Sequence, residues 1–130
     1  MDLLVSGKRA CVLGGAHPVA EAVRRELTAE GVALLDDAGA CGGADILIRV
    51  ADCADEPPGG HLAFLRGTAE AMVARGWGRV VSVALPCADP AEAEAHAGAL
   101  SGATRAAARA ALGADVTVNA VFAADADSRA

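Results

Sequence analysis

The chain has 130 residues and a net charge of −6, so it is long enough for one domain with a buried core. The negative charge argues against nucleic acid or an anionic membrane as a partner. Apolar residues make up 54% of the chain but aromatic residues only 2%, which predicts a core of alanine, valine and leucine.

The cysteines indicate the cellular compartment of the protein, and the scarcity of lysine indicates the type of genome that encodes it. Cys11, Cys41, Cys53 and Cys87 show neither a CxxC pair nor metal-finger spacing, and no signal peptide or membrane-length apolar run is evident. We therefore expect reduced thiols, no bound metal and a cytoplasmic location. Lys8 is the one lysine among 11 basic residues, which is typical of GC-rich bacterial genomes.

The first elements along the chain are a strand, a tight turn and a helix. The short apolar run Arg9–Leu13 predicts a buried strand, and Gly14–His17 predicts the turn. Pro18–Glu30 has the apolar stripe of a helix, and Gly31 is a residue at which such helices end. A glycine turn between strand and helix is where α/β proteins hold dinucleotide phosphates.

Four more strands and two more helices follow. The predicted strands are Val32–Leu35, Ile46–Val50, Val80–Leu85 and Val116–Phe122, and the predicted helices are Leu62–Arg75 and Pro90–Leu112. Asp89, with proline at the next position and Glu92 at the third, fits a capping box. The alternation predicts one α/β domain, residues 1–130, with a single five-stranded parallel sheet of order 2-1-3-4-5 and helices on both faces.

The connection between the second and third strands is short. Only about ten residues separate Leu35 from Ile46, fewer than the dozen or more of a helical crossover. The sequence therefore predicts a bare loop that leaves part of one sheet face uncovered. A partner subunit is the simplest cover for such a patch.

Several segments, in the right order, resemble the short-chain dehydrogenase/reductase family. They are its opening strand and glycine turn (Leu4–Ala10 and Leu13–Ala16), the strand before its NNAG motif (Asp45–Ile48), the approach to its catalytic serine (Gly76–Val81), the helix of its YxxxK pair (Ala99–Ala106) and its sixth strand (Val116–Val121). The resemblance implies a shortened Rossmann-like domain. A block after Asp37 and everything after the sixth strand are missing.

The residues that perform the family's chemistry are also missing. The middle glycine of the family's turn falls on Pro18, which has no N–H for a phosphate, and Arg49–Asp52 replaces the NNAG motif. By the resemblance, the catalytic serine, tyrosine and lysine fall on Leu85 and near Ala93 and Ala97. The chain contains no tyrosine, so the family's tyrosine–lysine proton transfer cannot operate. We expect no NAD(P) and no other cofactor, and a residual NAD(P)-dependent oxidoreductase is the least favoured alternative.

Polar residues at the carboxyl ends of the strands are the candidates for function, because α/β proteins bind ligands at that edge. The expected crevice consists of Gly14, Gly15, His17, Asp52, Cys53, Pro86, Cys87 and Phe122. His17 lies at the positive end of a helix, which favours a neutral imidazole that can serve as a base beside Asp52 or Asp36. The alternatives are that His17 only caps the helix and that the two thiols are inert. His61 and His96 are expected at a helix start and on the surface.

Two functions remain open. The first is a cofactor-independent enzyme of the isomerase, lyase or cyclase type, or a binder of a small organic molecule, in bacterial biosynthesis. The second is a non-catalytic subunit that pairs with itself or with a complete reductase. The resemblance implies that Leu62–Arg75 and Pro90–Leu112 pair across a two-fold axis into a four-helix bundle, and the small residues of the second helix, Ala103 and Ala107 among them, permit the close approach that such an interface needs. The alternative is a surface helix whose alanines serve helix propensity alone.

Overall fold

The fold alternates strands and helices, in a computed structural model that describes residues 5–35, 42–52 and 60–123. The elements are β1 Arg9–Leu13, α1 Pro18–Ala29, β2 Ala33–Leu34, β3 Ile46–Ala51, α2 Gly60–Arg75, β4 Trp77–Ala84, α3 Pro90–Ala110 and β5 Asp115–Phe122. The strands form one parallel five-stranded sheet of order β2-β1-β3-β4-β5. The predicted Rossmann-like α/β fold and strand order are confirmed.

The larger part of the core lies between the sheet and the helices α2 and α3. Successive residues of a strand point to opposite faces, so Leu47, Val80 and Val118 share one face of β3, β4 and β5. They pack with Leu65 of α2 and Leu100 of α3 in one buried cluster. The small side chains of α3 bring that helix close to the sheet.

Helix α1 covers the opposite face of the sheet. Leu27 of α1 packs there against the buried residues Ala10 of β1, Val32 before β2 and Ile46 of β3. The expectation of helices on both faces is therefore confirmed. The β5 end of this face presents Asp115, Thr117 and Asn119 to solvent, and a polar outer face of this kind needs no covering helix.

The small residues of α3 do not form the surface that the sequence predicts. Ala103 is 6% exposed and Ala107 is 1% exposed, and both belong to the core cluster with Leu100. The prediction that these two alanines form a subunit contact is wrong, because their side chains pack within the same chain. An alanine-rich helix can use its small residues against its own sheet as well as against a partner.

Residues 36–41 of the short β2–β3 connection lie outside the described residues, so the predicted bare loop is not tested. Beside β1, on the face that α2 occupies, the structure has a cavity of about 290 Å³. Leu13, Leu47, Phe64 and Met72 contribute to its wall.

Two cysteines differ from expectation. Cys11, in β1, and Cys87, after β4, are the cysteines in the described part of the chain, and both are disulfide-bonded. The prediction of reduced thiols is therefore wrong for these two residues, because the prediction used spacing along the sequence and disulfides depend on proximity in the fold. None of the helices in the described ranges is long and apolar enough to cross a membrane.

Candidate functional site

A cavity of about 220 Å³ lies at the carboxyl edge of the sheet, where β3, β4 and β5 end beneath the first turns of α2 and α3. Its wall is formed by the ends of the three strands and by one side of each helix: Ala51, Asp52, His61, Ala84, Leu85, Pro86, Cys87, Ala93, His96, Ala97, Leu100, Phe122 and Ala123. Most of these side chains are apolar. The cavity is therefore suited to a ligand with a largely apolar surface.

Small residues at the strand ends create this space. Ala51 of β3 pairs in register with Ala84 of β4, and Ala84 pairs with Phe122 of β5. Two neighbouring methyl side chains leave a gap above the sheet that larger residues would fill. Ala93 and Ala97 of α3 bound the same gap on the helix side.

His61 is fixed by a buried arginine. It lies in the first turn of α2, is 1% exposed, and its Nδ1 is 2.5 Å from Nη2 of Arg49 on β3. A guanidinium only donates hydrogen bonds, so Nδ1 accepts and the neutral ring carries its proton on Nε2. The guanidinium carbon of Arg49 lies 4.6 Å from the centre of the Phe64 ring, a cation–π contact that helps to fix the arginine.

His96 is the second histidine of the cavity wall. It lies in the second turn of α3 and is half-buried, with its ring edge-to-face on His61 at a centroid distance of 5.9 Å and an interplanar angle of 78°. Among the described residues, neither ring nitrogen of His96 has a hydrogen-bond partner. His96 can therefore exchange a hydrogen bond or a proton with a molecule in the cavity.

The structure brings together only part of the crevice that the sequence predicts. Asp52, Pro86, Cys87 and Phe122 line the cavity. Gly14, Gly15 and His17 belong to the turn between β1 and α1 and are not among the lining residues. Asp36 and Cys53 lie outside the described residues.

His17 takes the alternative role that the sequence left open. It is the N-cap of α1, and its Nδ1 accepts a hydrogen bond from the Val19 N–H at 3.1 Å. In a neutral ring with this bond, the proton lies on Nε2, so the second nitrogen is a donor. A ring in this state has no lone pair left for a substrate, and the assignment of His17 as a base stays a prediction.

The two histidines of the cavity are the functional candidates that the sequence reading missed. The signal for His96 was available, because it lies four, seven and eleven residues before Leu100, Ala103 and Ala107, and this spacing puts it on the core-facing stripe of the helix. The role of His61 depends on Arg49, which is 12 positions away along the chain. Only the fold brings that pair together.

The N-terminus of α1 is poorly equipped to hold a phosphate. Pro18 at the first helical position has no N–H, and the Val19 N–H is bonded to His17. A Cβ on Gly14 would lie 2.8 Å from Cβ of Val50, so β3 approaches this turn closely. Within the part of the chain that the structure describes, no group of three or more His, Cys, Asp or Glu side chains could hold a metal ion.

Fold and site together define an α/β protein with a mostly apolar cavity at the carboxyl edge of a parallel sheet. The chain matches no protein-family model, no curated protein and no solved structure. The resemblance to the short-chain dehydrogenases/reductases therefore remains a prediction. Leu85, on which that resemblance puts the catalytic serine of the family, lines the cavity, and so do Ala93 and Ala97, near which it puts the tyrosine and the lysine.

Proposed function

We propose that the protein binds a small, largely apolar organic molecule in the cavity at the carboxyl edge of β3, β4 and β5, without a nicotinamide cofactor. The observation that carries the proposal is the cavity itself, an apolar space of about 220 Å³ with His96 in its wall. Apolar pockets with a few polar groups at this edge of an α/β sheet are the usual ligand sites of such folds.

Two features support cofactor independence. Pro18 and the His17 cap leave the start of α1 with few donors for a pyrophosphate. By the resemblance, the serine of the family falls on Leu85, and its tyrosine and lysine fall near Ala93 and Ala97, which line the same cavity. The chain has no tyrosine and its one lysine is Lys8, so the hydride chemistry of that family has no proton relay here.

Acid–base chemistry on the bound molecule is the catalytic form of this proposal. Asp52 and His96 line the same cavity, whereas His17 does not. We propose that His96 exchanges a proton with the ligand. Asp52 is the carboxylate in the wall of the same cavity. The proposal thus keeps Asp52 from the sequence analysis and replaces His17 by His96.

A titration with toluene, followed by amide NMR shifts, tests the binding proposal. Toluene is expected to shift the amides of Ala93, Ala97 and Leu100. Ala97→Trp fills the cavity and should abolish these shifts, whereas Ala95→Trp, on the exposed side of the same helix, should not change them. Shifts confined to other regions, or equal in both variants, would contradict the proposal.

A second function is favoured by the outer surface of α2. Leu62 is 39% exposed and Val73 is 38% exposed, so the helix presents two large apolar side chains outside the core. We propose a homodimer, or a heteromer with a complete reductase, through this face of α2 and the neighbouring face of α3. Val73→Glu should convert a dimer to a monomer in light scattering, and a wild-type monomer at micromolar concentration would contradict the pairing with itself.

A cytoplasmic location stays a prediction. The bonded state of Cys11 and Cys87 counts against it, because reducing compartments keep thiols free and disulfides persist in oxidising ones.

A further inference from the structure

We infer that the ligand of the cavity is a neutral molecule built on one six-membered ring, with a single hydroxyl or carbonyl oxygen that contacts His96. The inference rests on the proposed binding function and adds the chemical class of the ligand. Four features carry it: the volume of the cavity, the nature of its wall, the number of polar groups that await a partner, and the charges behind the wall.

The volume sets the size. A cavity of roughly 150 Å³ lined by aliphatic and aromatic side chains is large enough to bind benzene in a protein interior. The cavity here is about 220 Å³, which leaves room for one ring and one or two small substituents.

The wall sets the apolar character of the ring. Leu85, Leu100 and Phe122 surround the space together with the methyl groups of Ala93 and Ala97. A ring transferred from water into such surroundings gains the hydrophobic free energy of its buried surface. A ligand with several polar substituents would lose hydration without gaining hydrogen bonds in return.

Most polar side chains of the wall already have partners in the protein. Nδ1 of His61 is bonded to Arg49, the sulfur of Cys87 is in a disulfide, and Asp52 already interacts with another group of the protein. Neither ring nitrogen of His96 has a hydrogen-bond partner among the described residues, and the ring of His61 packs edge-to-face on that of His96. A ligand that offers one oxygen to His96 satisfies this side chain.

The surrounding charges favour neither an anion nor a cation. The carboxylate of Asp52 lines the cavity, and the guanidinium of Arg49 lies behind the wall, bonded to Nδ1 of His61, so the two charges of opposite sign oppose each other's effect on an ion. A charged ligand would give up its hydration in a mostly apolar space. A neutral ring with one oxygen avoids this cost.

Four probes of similar size test this class: toluene, p-cresol, benzoate and benzylamine, each titrated by NMR with the amides of Ala93 and Ala97 as the readout. The added hydroxyl should make p-cresol bind roughly three- to tenfold tighter than toluene, the effect of one net hydrogen bond. Benzoate and benzylamine should bind more weakly than toluene. Equal binding of toluene and p-cresol, or tighter binding of either ion, overturns the proposed ligand class.

The variant His96→Leu separates the hydrogen bond from the cavity. Leucine is apolar and similar in size to histidine, and the position is half-buried. Toluene should therefore bind as before, while the affinity for p-cresol should fall to that for toluene. His17→Asn, which keeps the cap of α1 and lies outside the cavity wall, is the matched control and should retain the p-cresol preference. A preference for p-cresol that survives in His96→Leu overturns the role of His96 and leaves cavity binding intact. If none of the probes shifts the lining amides of the wild type, the binding function itself is contradicted along with the ligand class.

Discussion

At the scale of single residues, the three histidines show how one residue type acquires different roles from its surroundings. His17 uses Nδ1 to cap a helix, His61 uses Nδ1 to accept a bond from Arg49, and His96 has both ring nitrogens available among the described residues. The sequence singled out His17 because it adjoins a glycine turn and a helix start. That reasoning located a helix cap, whose residue preferences overlap with those of a ligand site.

The capping role of His17 predicts a specific pattern of stabilities. His17→Asn keeps an acceptor for the Val19 N–H and should leave the free energy of unfolding nearly unchanged, whereas His17→Ala should lower it by about 1 kcal/mol. Chemical denaturation of both variants measures this difference. An equal loss in the two variants would mean that the ring is held by packing and not by its hydrogen bond.

At the scale of the elements, periodicity along the sequence predicted the strands and helices that the described residues form, with ends that differ from the observed ones by up to three residues. β4 begins at Trp77, three residues earlier than the run Val80–Leu85 suggests. Gly78 is a weak strand former, but Met72 of α2 occupies the space where its Cβ would lie. This contact between α2 and β4 explains why a glycine occupies position 78 of the strand. The contact cannot be predicted from either segment alone.

The core-facing position of α3 predicts the outcome of charged substitutions on that helix. Ala107→Glu would put a carboxylate into a site that is 1% exposed, and the buried, unpaired charge should destabilise the fold by several kcal/mol. Ala95→Glu, at an exposed position of the same helix, should change the stability by less than about 0.5 kcal/mol. Thermal denaturation distinguishes the two. If the Ala107→Glu protein stays folded but dissociates from a partner subunit, that result would support the subunit contact predicted from the sequence.

At the scale of the whole molecule, the sheet order was predictable, but the location of the site was predictable only in part. The order of the strands follows from alternation and connection length, which are local properties of the chain. Two further facts are required to locate the site. Ala51 and Ala84 lie side by side in the sheet, and α2 and α3 bring His61 and His96 together. Both depend on register and packing between segments far apart in sequence.

The bonded state of Cys11 and Cys87 gives a prediction for the molecule as a whole. Under non-reducing conditions in denaturant, Cys11 and Cys87 should not react with a thiol reagent, and both should react after reduction. Mass spectrometry of the labelled peptides assigns each cysteine. Labelling of Cys11 or Cys87 before reduction would contradict the bonded state and would favour the reduced thiols that the sequence suggested.

A crystal structure of the protein soaked with p-cresol shows whether the cavity at the carboxyl edge holds a small molecule. We expect one ring between Leu100 and Phe122, with its oxygen within hydrogen-bonding distance of a ring nitrogen of His96. Density for p-cresol elsewhere on the molecule, or a cavity filled only by water at a saturating concentration, would contradict this expectation.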